Sequence, residues 1–511
     1  MLEAGSLWEL IERRAALTPD ARFAVDEEDR ELSFAEYKTR AERCAAGLAE
    51  LGVGEGMHVS WMLPTWLESL VLVAGLSRLG ALQNPILPIY RQREVSFITR
   101  QFGTRLLLVP AQWRRFDYEG MARETAKTQD DLEVFVVDRA LPDSDPSSPP
   151  APASSGEAPV RWLFYSSGTT ADPKGALHTD QTLMAAAAGM ARRLALAPDD
   201  RIALVFPFTH IGGIGWLMAS LATGCSHIVV QAFDPKSSID VLVRHGATQG
   251  LAGTAFHQAY LAAQRERGGS PLFPAIRSFP GGGAPKPPQL HYDLKREMGG
   301  VGIVSGYGLT ECPIVSMGAV DDPDEKLALS EGRPNPPEMQ VKVVTLAGSL
   351  AGVGEEGEIR AKGPQLCKGY LDRSLNDAAF DEEGFFRTGD LGYLDAEGYV
   401  VITGRLKDVI IRKGENISAK EVEDFLYQHP KVADVAVIGL PDPAMGERCC
   451  AVVASKSPAE PLEFDEMIAF LKQQGLMLQK LPEQLEIVSE VPRNPTGKIL
   501  KHELRKKYSE S

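Results

Sequence analysis

Short apolar runs alternate with amphipathic helical segments along the first part of the chain. The runs HVSWML, RLLLVP and EVFVVD have the composition of buried strands. Before the first of these runs, the segment that begins at Ser33 keeps helical apolar spacing up to Gly52, and Ser33 with Glu36 has the spacing of a capping box. Because strands that alternate with helices form largely parallel sheets, this pattern predicts an α/β fold.

The pattern changes after Arg405, where a second unit begins. Two helical segments there alternate with the strand-like runs VADVAVIGL, CCAVVAS and QLEIVSEV, which together predict a compact α+β unit of about 100 residues. A β-rich module with the runs GEIRAKG and EGYVVITGR precedes this unit. We therefore expect a large N-terminal domain of mixed α/β sheets plus the β-rich module at residues 1–404, a hinge at 405–408, and a small mobile C-terminal domain at 409–511.

Charge and cysteine content argue against several classes of protein. A formal net charge of -15 disfavours a general nucleic-acid binder, which needs a clustered basic face. Six cysteines without a C-x-x-C pair indicate neither a disulfide framework nor a zinc site, and the reducing cytoplasm fits them best. The first residues lack a basic region before an apolar stretch, so we expect no signal peptide. The apolar stretch from Trp66 to Leu82 is interrupted by Glu68 and Arg78, which favours a buried helix over a membrane span.

The sequence YSSGTTADPKG, from Tyr165 to Gly175, has the composition of a phosphate-binding loop. Glycines let backbone amides approach an anion closely, hydroxyls donate hydrogen bonds to its oxygens, and Lys174 supplies positive charge. The loop is not a Walker motif, because Lys174 precedes its glycine and Gly-Lys-Ser/Thr is absent. The alternative is a flexible Ser/Gly loop that binds no ligand.

Six motifs occur in order along the chain. They are YSSGTTADPKG, YGLTE at Tyr307–Glu311, RTGD at Arg387–Asp390, GRLKD at Gly404–Asp408, KGENISAKEVE, and PRNPTGK at Pro492–Lys498. The match extends over nearly the whole chain. In these motifs the chain resembles the adenylate-forming (AMP-binding) superfamily, whose members include acyl-CoA synthetases, peptide-synthetase adenylation domains and luciferases. The resemblance implies a carboxylate–CoA ligase that joins an acid to ATP as an acyl-adenylate, releases pyrophosphate and passes the acyl group to a thiol. Its cofactors would be ATP, Mg²⁺ and coenzyme A.

The resemblance also implies a set of catalytic and phosphate-binding residues. Lys498 would bridge the substrate carboxylate and the α-phosphate, and Glu311 with Thr170 would hold Mg²⁺. His210 would gate the carboxylate site, although a lone histidine can equally be a packed side chain, and this alternative stays open. The phosphates would be held by Ser166, Ser167, Gly168, Thr169, Thr170 and Lys174.

Residues from the remaining motifs would hold the nucleotide and coenzyme A. Tyr307 would stack on adenine, Asp390 would accept hydrogen bonds from the ribose hydroxyls, and Arg405 would lie near the ribose and phosphate. Lys407 would form the hinge between the domains. Gly283, Ala284 and Pro285 would line the adenine slot, Ser305, Gly306, Gly308 and Thr310 would also contact the cofactor, and Gly414 and Asn416 would lie along the pantetheine tunnel.

The segment Phe206–Trp216 resembles the part of the family that lines the acyl pocket. It carries His210, Ile211 and glycines but no carboxylate that would pair with an amine, so the expected substrate is an amine-free hydrophobic acid, which could be fatty, alicyclic or aryl. No carrier domain follows Lys498, which favours coenzyme A as the acceptor. The alternatives are an enzyme that loads a separate carrier protein and an ATP-sensing paralogue without turnover. We expect no nucleic-acid partner and no membrane span, and a homodimer is left open.

Overall fold

The computed structural model describes residues 1–146, 152–153, 158–166, 173–284, 286–412, 415–443, 445–494 and 497–509. These residues form two lobes. The large lobe comprises the elements up to Arg405, and the small lobe comprises the elements from Val409 onward. Each lobe has its own hydrophobic core, which contains Trp61 and Trp162 in the large lobe and Val435 in the small lobe.

Helices connect most strands of the large lobe. They are Leu7–Leu17, Phe34–Glu50, Leu67–Leu79, Gln92–Phe102, Tyr118–Ala126, Asp180–Arg193, Ile211–Thr223, Ser237–Arg244, Thr254–Arg267, Pro288–Glu297, Asp324–Leu329 and Asn376–Ala379, with a 3₁₀ turn at Arg373–Leu375. A second 3₁₀ turn, Leu406–Asp408, joins the two lobes. The predicted capping box is confirmed, because Ser33 Oγ accepts a hydrogen bond from the Glu36 N–H at 3.2 Å and Glu36 Oε2 accepts one from the Ser33 N–H at 2.8 Å.

Three sheets of the large lobe contain parallel strands. The largest runs in the order Lys174–Thr179, Val160–Ser166, Leu82–Pro85, His58–Trp61, Leu106–Val109 and Glu133–Val136, and only its first pair is antiparallel. The second runs Arg201–Leu204, Ser226–Val229, Arg22–Asp26 and Glu31–Ser33, with its last pair antiparallel. The third runs Phe279–Gly282, Ile303–Tyr307, Ser316–Met317 and Arg333–Pro334, with only its first pair parallel. The helices and parallel pairs confirm the α/β class.

The β-rich module and the small lobe follow. The module is an antiparallel sheet of Gln340–Val344, Gly357–Lys362, Phe386–Leu394 and Val400–Arg405. The small lobe contains the strands Val409–Arg412, Glu415–Ser418, Val432–Asp442, Gly446–Ser455 and Gln484–Val488, the helices Ala419–Leu426, Phe464–Gln473 and Lys501–Tyr508, and a 3₁₀ turn at Leu478–Lys480. A short hairpin in the large lobe joins Gln112–Trp113 to Phe116–Asp117. The mixed strands and helices after Val409 agree with the predicted α+β unit.

The apolar stretch that begins at Trp66 forms the helix Leu67–Leu79, which is buried along almost its whole length. The prediction of a buried helix is therefore confirmed. Among the described residues, no helix combines the length and the apolar character that crossing a membrane requires. All six cysteines are buried and free.

Candidate active site

A cavity of about 300 Å³ lies where the two lobes meet. Its walls include nine of the residues singled out in the sequence. The large lobe and the junction contribute Gly283, Ala284, Gly306, Tyr307, Gly308, Asp390, Arg405 and Lys407, and the small lobe contributes Lys498. The fold thus brings residues from separate motifs to one cleft between the lobes.

A hydrogen-bonded chain of three side chains forms one wall of this cleft. The Tyr307 hydroxyl donates to Asp390 Oδ2 at 2.7 Å, and Arg405 Nε lies 2.7 Å from Asp390 Oδ1. Burial and the neighbouring carboxylate raise the pKa of Tyr307 well above its ordinary value, so the hydroxyl remains a donor. A carboxylate has about four lone-pair sites, so Asp390 can still accept hydrogen bonds from a ligand diol.

The backbone next to Tyr307 is packed closely enough to exclude side chains. A Cβ at Gly308 would lie 2.3 Å from the Ile314 nitrogen. Gly283 has a φ of 79°, a conformation that glycine adopts at little cost. Ser305, in the strand that ends at Tyr307, is buried. The backbone at Ile314 thus fills the space beside Gly308, whereas the space beside Gly283 is open.

Lys498 is one of several cations that the small lobe contributes to the cleft; the others are Lys420, Lys480, Arg493, Lys501 and Arg505. Burial, followed by the nearby charges of Arg405 and Lys407, lowers the pKa of Lys498 to about 8. Burial and Arg405 likewise lower the pKa of Lys407, which lies in the 3₁₀ turn between the lobes. A lysine whose charge is poorly solvated interacts strongly with an anion that enters the same cleft, which is typical of functional positions.

Glu311 is buried, and its carboxylate accepts a hydrogen bond from a tyrosine. The Tyr370 hydroxyl donates to Glu311 Oε1 at 2.6 Å, and Lys174 Nζ lies 5.6 Å from the centre of the Tyr370 ring. Burial and Glu311 raise the pKa of Tyr370, which keeps it a donor. Among the described residues, no three His, Cys, Asp or Glu side chains cluster as a metal cage. A single buried carboxylate fits Mg²⁺, which is commonly bound through one or two carboxylates together with substrate phosphates and waters.

Family comparison matches most of the chain. The description "AMP-binding enzyme" applies to residues 11–371, and "AMP-binding enzyme C-terminal domain" applies to residues 421–498. The chain belongs to the AMP-binding enzyme family. The motif resemblance is thereby confirmed, and the two matched regions lie in the large and the small lobe.

Relatives of this AMP-binding enzyme match it over nearly their whole length. It is 28% identical to the medium-chain fatty-acid–CoA ligase of Escherichia coli K12, over 98% of this chain and 90% of that protein. It is 31% identical to the sulfoacetate–CoA ligase of Cupriavidus necator, over 96% and 95%. The crystal structure of ATP-bound MatB from Rhodopseudomonas palustris superposes with a TM-score of 0.88 at 26% identity, covering 98% of this chain and 99% of that chain. These likenesses confirm the predicted two-domain fold.

The two ends of the phosphate-loop motif lie side by side in the AMP-binding enzyme. Ser166 ends one strand of the largest sheet and pairs with Lys174, which begins the neighbouring strand. The intervening residues Ser167, Gly168, Thr169 and Thr170 lie outside the described residues, as do Pro285 and Gly414. Asn416 belongs to the strand Glu415–Ser418, in which its backbone pairs with Ile411.

His210 is the N-cap of the helix Ile211–Thr223. Its Nδ1 accepts a hydrogen bond from the Gly212 N–H at 3.1 Å, and its ring packs edge-on against Phe206 with centroids 6.2 Å apart. Burial lowers the pKa of His210 to about 4, so the ring is neutral near pH 7. His210 and Thr310 line a small cavity of about 20 Å³ outside the interlobe cleft. Both therefore lie in a different cavity from Tyr307 and Lys498, and His210 has a packing and capping role in this structure.

A wide cavity of about 1600 Å³ opens on another side of Lys498. Its apolar wall contains Tyr90, Phe97, Trp113, Phe116, Tyr118, Phe206, Phe233 and Phe256. Phe233 and Phe256 meet edge to face with centroids 4.9 Å apart. Arginines also line the cavity, and the guanidinium of Arg91 lies 4.1 Å from the centre of the Phe116 ring. The cavity thus combines an aromatic interior with positive charge.

Two supporting residues were missed by the sequence analysis. Tyr370 holds Glu311, and His178 Nε2 lies 2.9 Å from the carbonyl oxygen of Thr310, the residue before Glu311. Burial lowers the pKa of His178 to about 4, so the ring is neutral and can donate to that carbonyl through Nε2. Neither residue belongs to a recognised motif, and the sequence contained no signal for either contact.

Proposed function

We propose that this AMP-binding enzyme is an AMP-forming carboxylate–CoA ligase. A carboxylate attacks the α-phosphate of ATP, pyrophosphate leaves, and the resulting acyl-adenylate is then attacked by the thiol of coenzyme A with release of AMP. The observation that carries this proposal is the interlobe cleft, where Lys498 shares a cavity with Tyr307 and Asp390. A nucleotide held by the large lobe would meet a cation supplied by the small lobe.

The first step joins two anions, so the protein must offset their repulsion. The ammonium group of Lys498 is poorly solvated and would interact with both the carboxylate and the α-phosphate as they approach. Tyr307 would stack on adenine, and Asp390 would accept hydrogen bonds from the ribose hydroxyls. The hydrogen bond between Tyr307 and Asp390 fixes the positions of both side chains. Mg²⁺ held at Glu311 would neutralise phosphate charge.

An amine-free hydrophobic acid is the proposed substrate class. Phe206 belongs both to the acyl-pocket segment and to the aromatic wall of the wide cavity. The neutral ring of His210 packs against Phe206, which keeps this part of the wall uncharged. An aliphatic chain or an aryl ring would gain from leaving water beside Phe206, whereas an ammonium group would lose its hydration there.

The arginine-lined side of the wide cavity is the proposed path for coenzyme A. The thiol must reach the carbonyl beside Lys498, and the cavity extends from Lys498 to the hairpin that contains Arg114. Arginine guanidinium groups pair well with phosphate oxygens. Arg91 and Arg114 would therefore attract the phosphate-bearing end of coenzyme A.

Charge reversal at Arg114 tests this path. Arg114→Glu is expected to raise the KM for coenzyme A by about 5- to 10-fold, because an exposed phosphate contact becomes a repulsion. Acid-dependent pyrophosphate exchange should not change, since coenzyme A takes no part in it. Arg115→Glu is the matched control: it makes the same change at the next position of the hairpin, which also has a positive φ, and Arg115 is not among the described residues of the cavity wall. Equal increases in KM for both variants would contradict the path.

The turn between the lobes is the proposed hinge, at residues 405–408. The strand Val400–Arg405 leads directly into the 3₁₀ turn Leu406–Asp408, and Asp408 pairs with Arg505 of the last helix at 2.7 Å. Lys498 and the incoming thiol need space at the same carbonyl. Rotation about this turn would withdraw Lys498 after the first step, because a few residues that change φ and ψ can reorient a whole lobe.

A panel of acids measured in two assays tests the proposed function. Short, medium, long, alicyclic and aryl acids are supplied with ATP and Mg²⁺, and both pyrophosphate exchange and coenzyme A thioester formation are followed, with amino acids as the amine-bearing comparison. We expect at least one hydrophobic acid to drive both reactions. Exchange without thioester would indicate a carrier protein as acceptor, and ATP binding without exchange for any acid would indicate an ATP sensor.

The buried free cysteines support a reducing cytoplasm as the location.

A further inference from the structure

The backbone of Lys498 is tied to Asn494 by two hydrogen bonds. The Asn494 N–H donates to the Lys498 carbonyl at 2.9 Å, and the Lys498 N–H donates to Asn494 Oδ1 at 2.9 Å. Arg493 and Ile499 form an antiparallel bridge at the base of the loop. The direction in which the lysine side chain leaves the loop therefore depends on how the loop is held against the small lobe.

Arg493 connects this loop to the core of the small lobe. Its Nη1 donates to the carbonyl oxygen of Gly497, the residue before Lys498, at 2.6 Å. Its other donors contact Asp434, with Nη2 at 2.8 Å from Oδ1 and Nε at 3.1 Å from Oδ2. The planar guanidinium has donors in a fixed geometry, so holding Asp434 in this way also sets the direction of Nη1.

Asp434 is itself held from two sides. It lies in the strand Val432–Asp442, and its Oδ1 accepts from the Val435 N–H at 2.9 Å and from the Tyr427 hydroxyl. Tyr427 directly follows the helix Ala419–Leu426. The side chains of Arg493 and Asp434 are only 15% and 19% exposed, so water competes weakly for their hydrogen bonds. A helix and a strand thus determine the position of the guanidinium.

We propose that Arg493, fixed by Asp434 and Tyr427, is a positioning residue that sets the placement of Lys498 for the adenylate-forming step. The inference rests on the proposed function, in which Lys498 acts on the carboxylate and the α-phosphate. Arg493 contacts the backbone carbonyl next to Lys498, so a shift of its guanidinium moves the loop and displaces the ammonium group. A displacement of about 1 Å from a productive geometry can lower a rate by about 100-fold.

The two half-reactions distinguish positioning from general structural support. Lys498 takes part only in the first half-reaction, because it leaves the site before the thiol attacks. Loss of the Arg493 contact should therefore slow acyl-adenylate formation and leave thioester formation from supplied acyl-adenylate unchanged. A small lobe that had lost its fold would fail in both reactions.

Arg493→Lys and Tyr427→Phe test the proposal in the full-length enzyme. Arg493→Lys keeps the charge but removes the planar set of donors, and we expect acid-dependent pyrophosphate exchange to fall by about 10- to 50-fold in kcat. The KM for ATP should stay within about twofold, because the nucleotide contacts of the large lobe are intact. Tyr427→Phe removes one hydroxyl donor to Asp434 and should give a smaller loss in the same assay, with thioester formation from chemically prepared acyl-adenylate unchanged.

Arg448→Lys is the matched control in the same lobe. Arg448 Nε donates to Gln484 Oε1 at 2.9 Å and its Nη1 donates to the Pro441 carbonyl at 3.0 Å, so the substitution removes a comparable set of contacts. It should leave both half-reactions at wild-type rates. Unchanged exchange in Arg493→Lys, or an equal loss in both half-reactions, would overturn the inference. Wild-type enzyme that shows no exchange with any acid would instead overturn the proposed function, and the inference with it.

Discussion

Replacing Lys498 by alanine is expected to lower acid-dependent pyrophosphate exchange by about 100- to 1000-fold, the usual loss when a group that stabilises transition-state charge is removed. Among the predicted site residues that line the cleft, Lys498 is the one that belongs to the small lobe. Tyr307 and Asp390 line the same cleft. Its ammonium group would neutralise charge that develops as the carboxylate reaches the α-phosphate. Thioester formation from supplied acyl-adenylate should remain near the wild-type rate, because the proposed mechanism gives the lysine no role in that step.

The pH dependence of pyrophosphate exchange tests whether Lys498 is the group that acts. Because the pKa of Lys498 is lowered to about 8, the side chain is charged below that pH and neutral above it. Exchange measured at low ATP, which reports the free enzyme, should therefore fall as the pH rises through about 8. In Lys498→Arg this fall should disappear, since a guanidinium stays protonated throughout.

Two controls accompany the Lys498 variants. Lys506→Ala removes an exposed lysine from the last helix of the same lobe and should leave both the rate and the pH profile unchanged. A decline near pH 8 that persists in Lys498→Arg would assign the titration to another group. Equal loss of exchange and of thioester formation in Lys498→Ala would show that the lysine is not specific to the first step.

The architecture was predictable because it follows from local periodicity. The run HVSWML contains the strand His58–Trp61, and the run RLLLVP contains Leu106–Val109; both belong to the largest sheet, where they are parallel neighbours. Buried parallel strands have short continuous apolar runs in the sequence. Helical apolar spacing and capping residues indicate the helices between them. The change of pattern after Arg405 was visible for the same reason.

The contacts that hold the site could not be predicted in the same way. Tyr307, Asp390 and Lys498 were recognisable because each belongs to a motif, and the fold places them around one cavity. Tyr370 and Asp434 belong to none, and each becomes relevant only through a hydrogen bond to a residue distant in sequence. Such a partner is determined by how distant parts of the chain pack together. The chemistry of one residue type does not predict that packing.

The two interpretations of His210 show the same limit. As residue types, a gating histidine and a packed histidine are identical. The hydrogen bond from the Gly212 N–H to its Nδ1 arises only because the helix Ile211–Thr223 begins at the next residue. The burial that keeps the ring neutral depends on Phe206 and on more distant segments. The structure shows the capping and packing contacts, and gating of the carboxylate site stays a prediction.

Replacing Glu311 by glutamine is expected to lower acid-dependent pyrophosphate exchange by about 100-fold and to raise the Mg²⁺ concentration needed for half-maximal rate. Glutamine has nearly the same shape, and its amide oxygen can still accept from the Tyr370 hydroxyl, so the fold should persist. What is lost is the negative charge, which is the property that a hard cation requires. The measurement is a Mg²⁺ titration of exchange in the wild type and the variant, starting from chelator-treated enzyme.

Tyr370→Phe provides the matched control for the Glu311 prediction. It removes the hydroxyl that donates to Glu311 Oε1 at 2.6 Å and leaves the carboxylate charge in place. Stability should fall by about 1–3 kcal/mol, because the buried carboxylate loses a hydrogen bond. The Mg²⁺ dependence should nevertheless stay close to that of the wild type. A Glu311→Gln variant with unchanged Mg²⁺ dependence, or a Tyr370→Phe variant with the larger change, would show that the charge of Glu311 does not hold the metal.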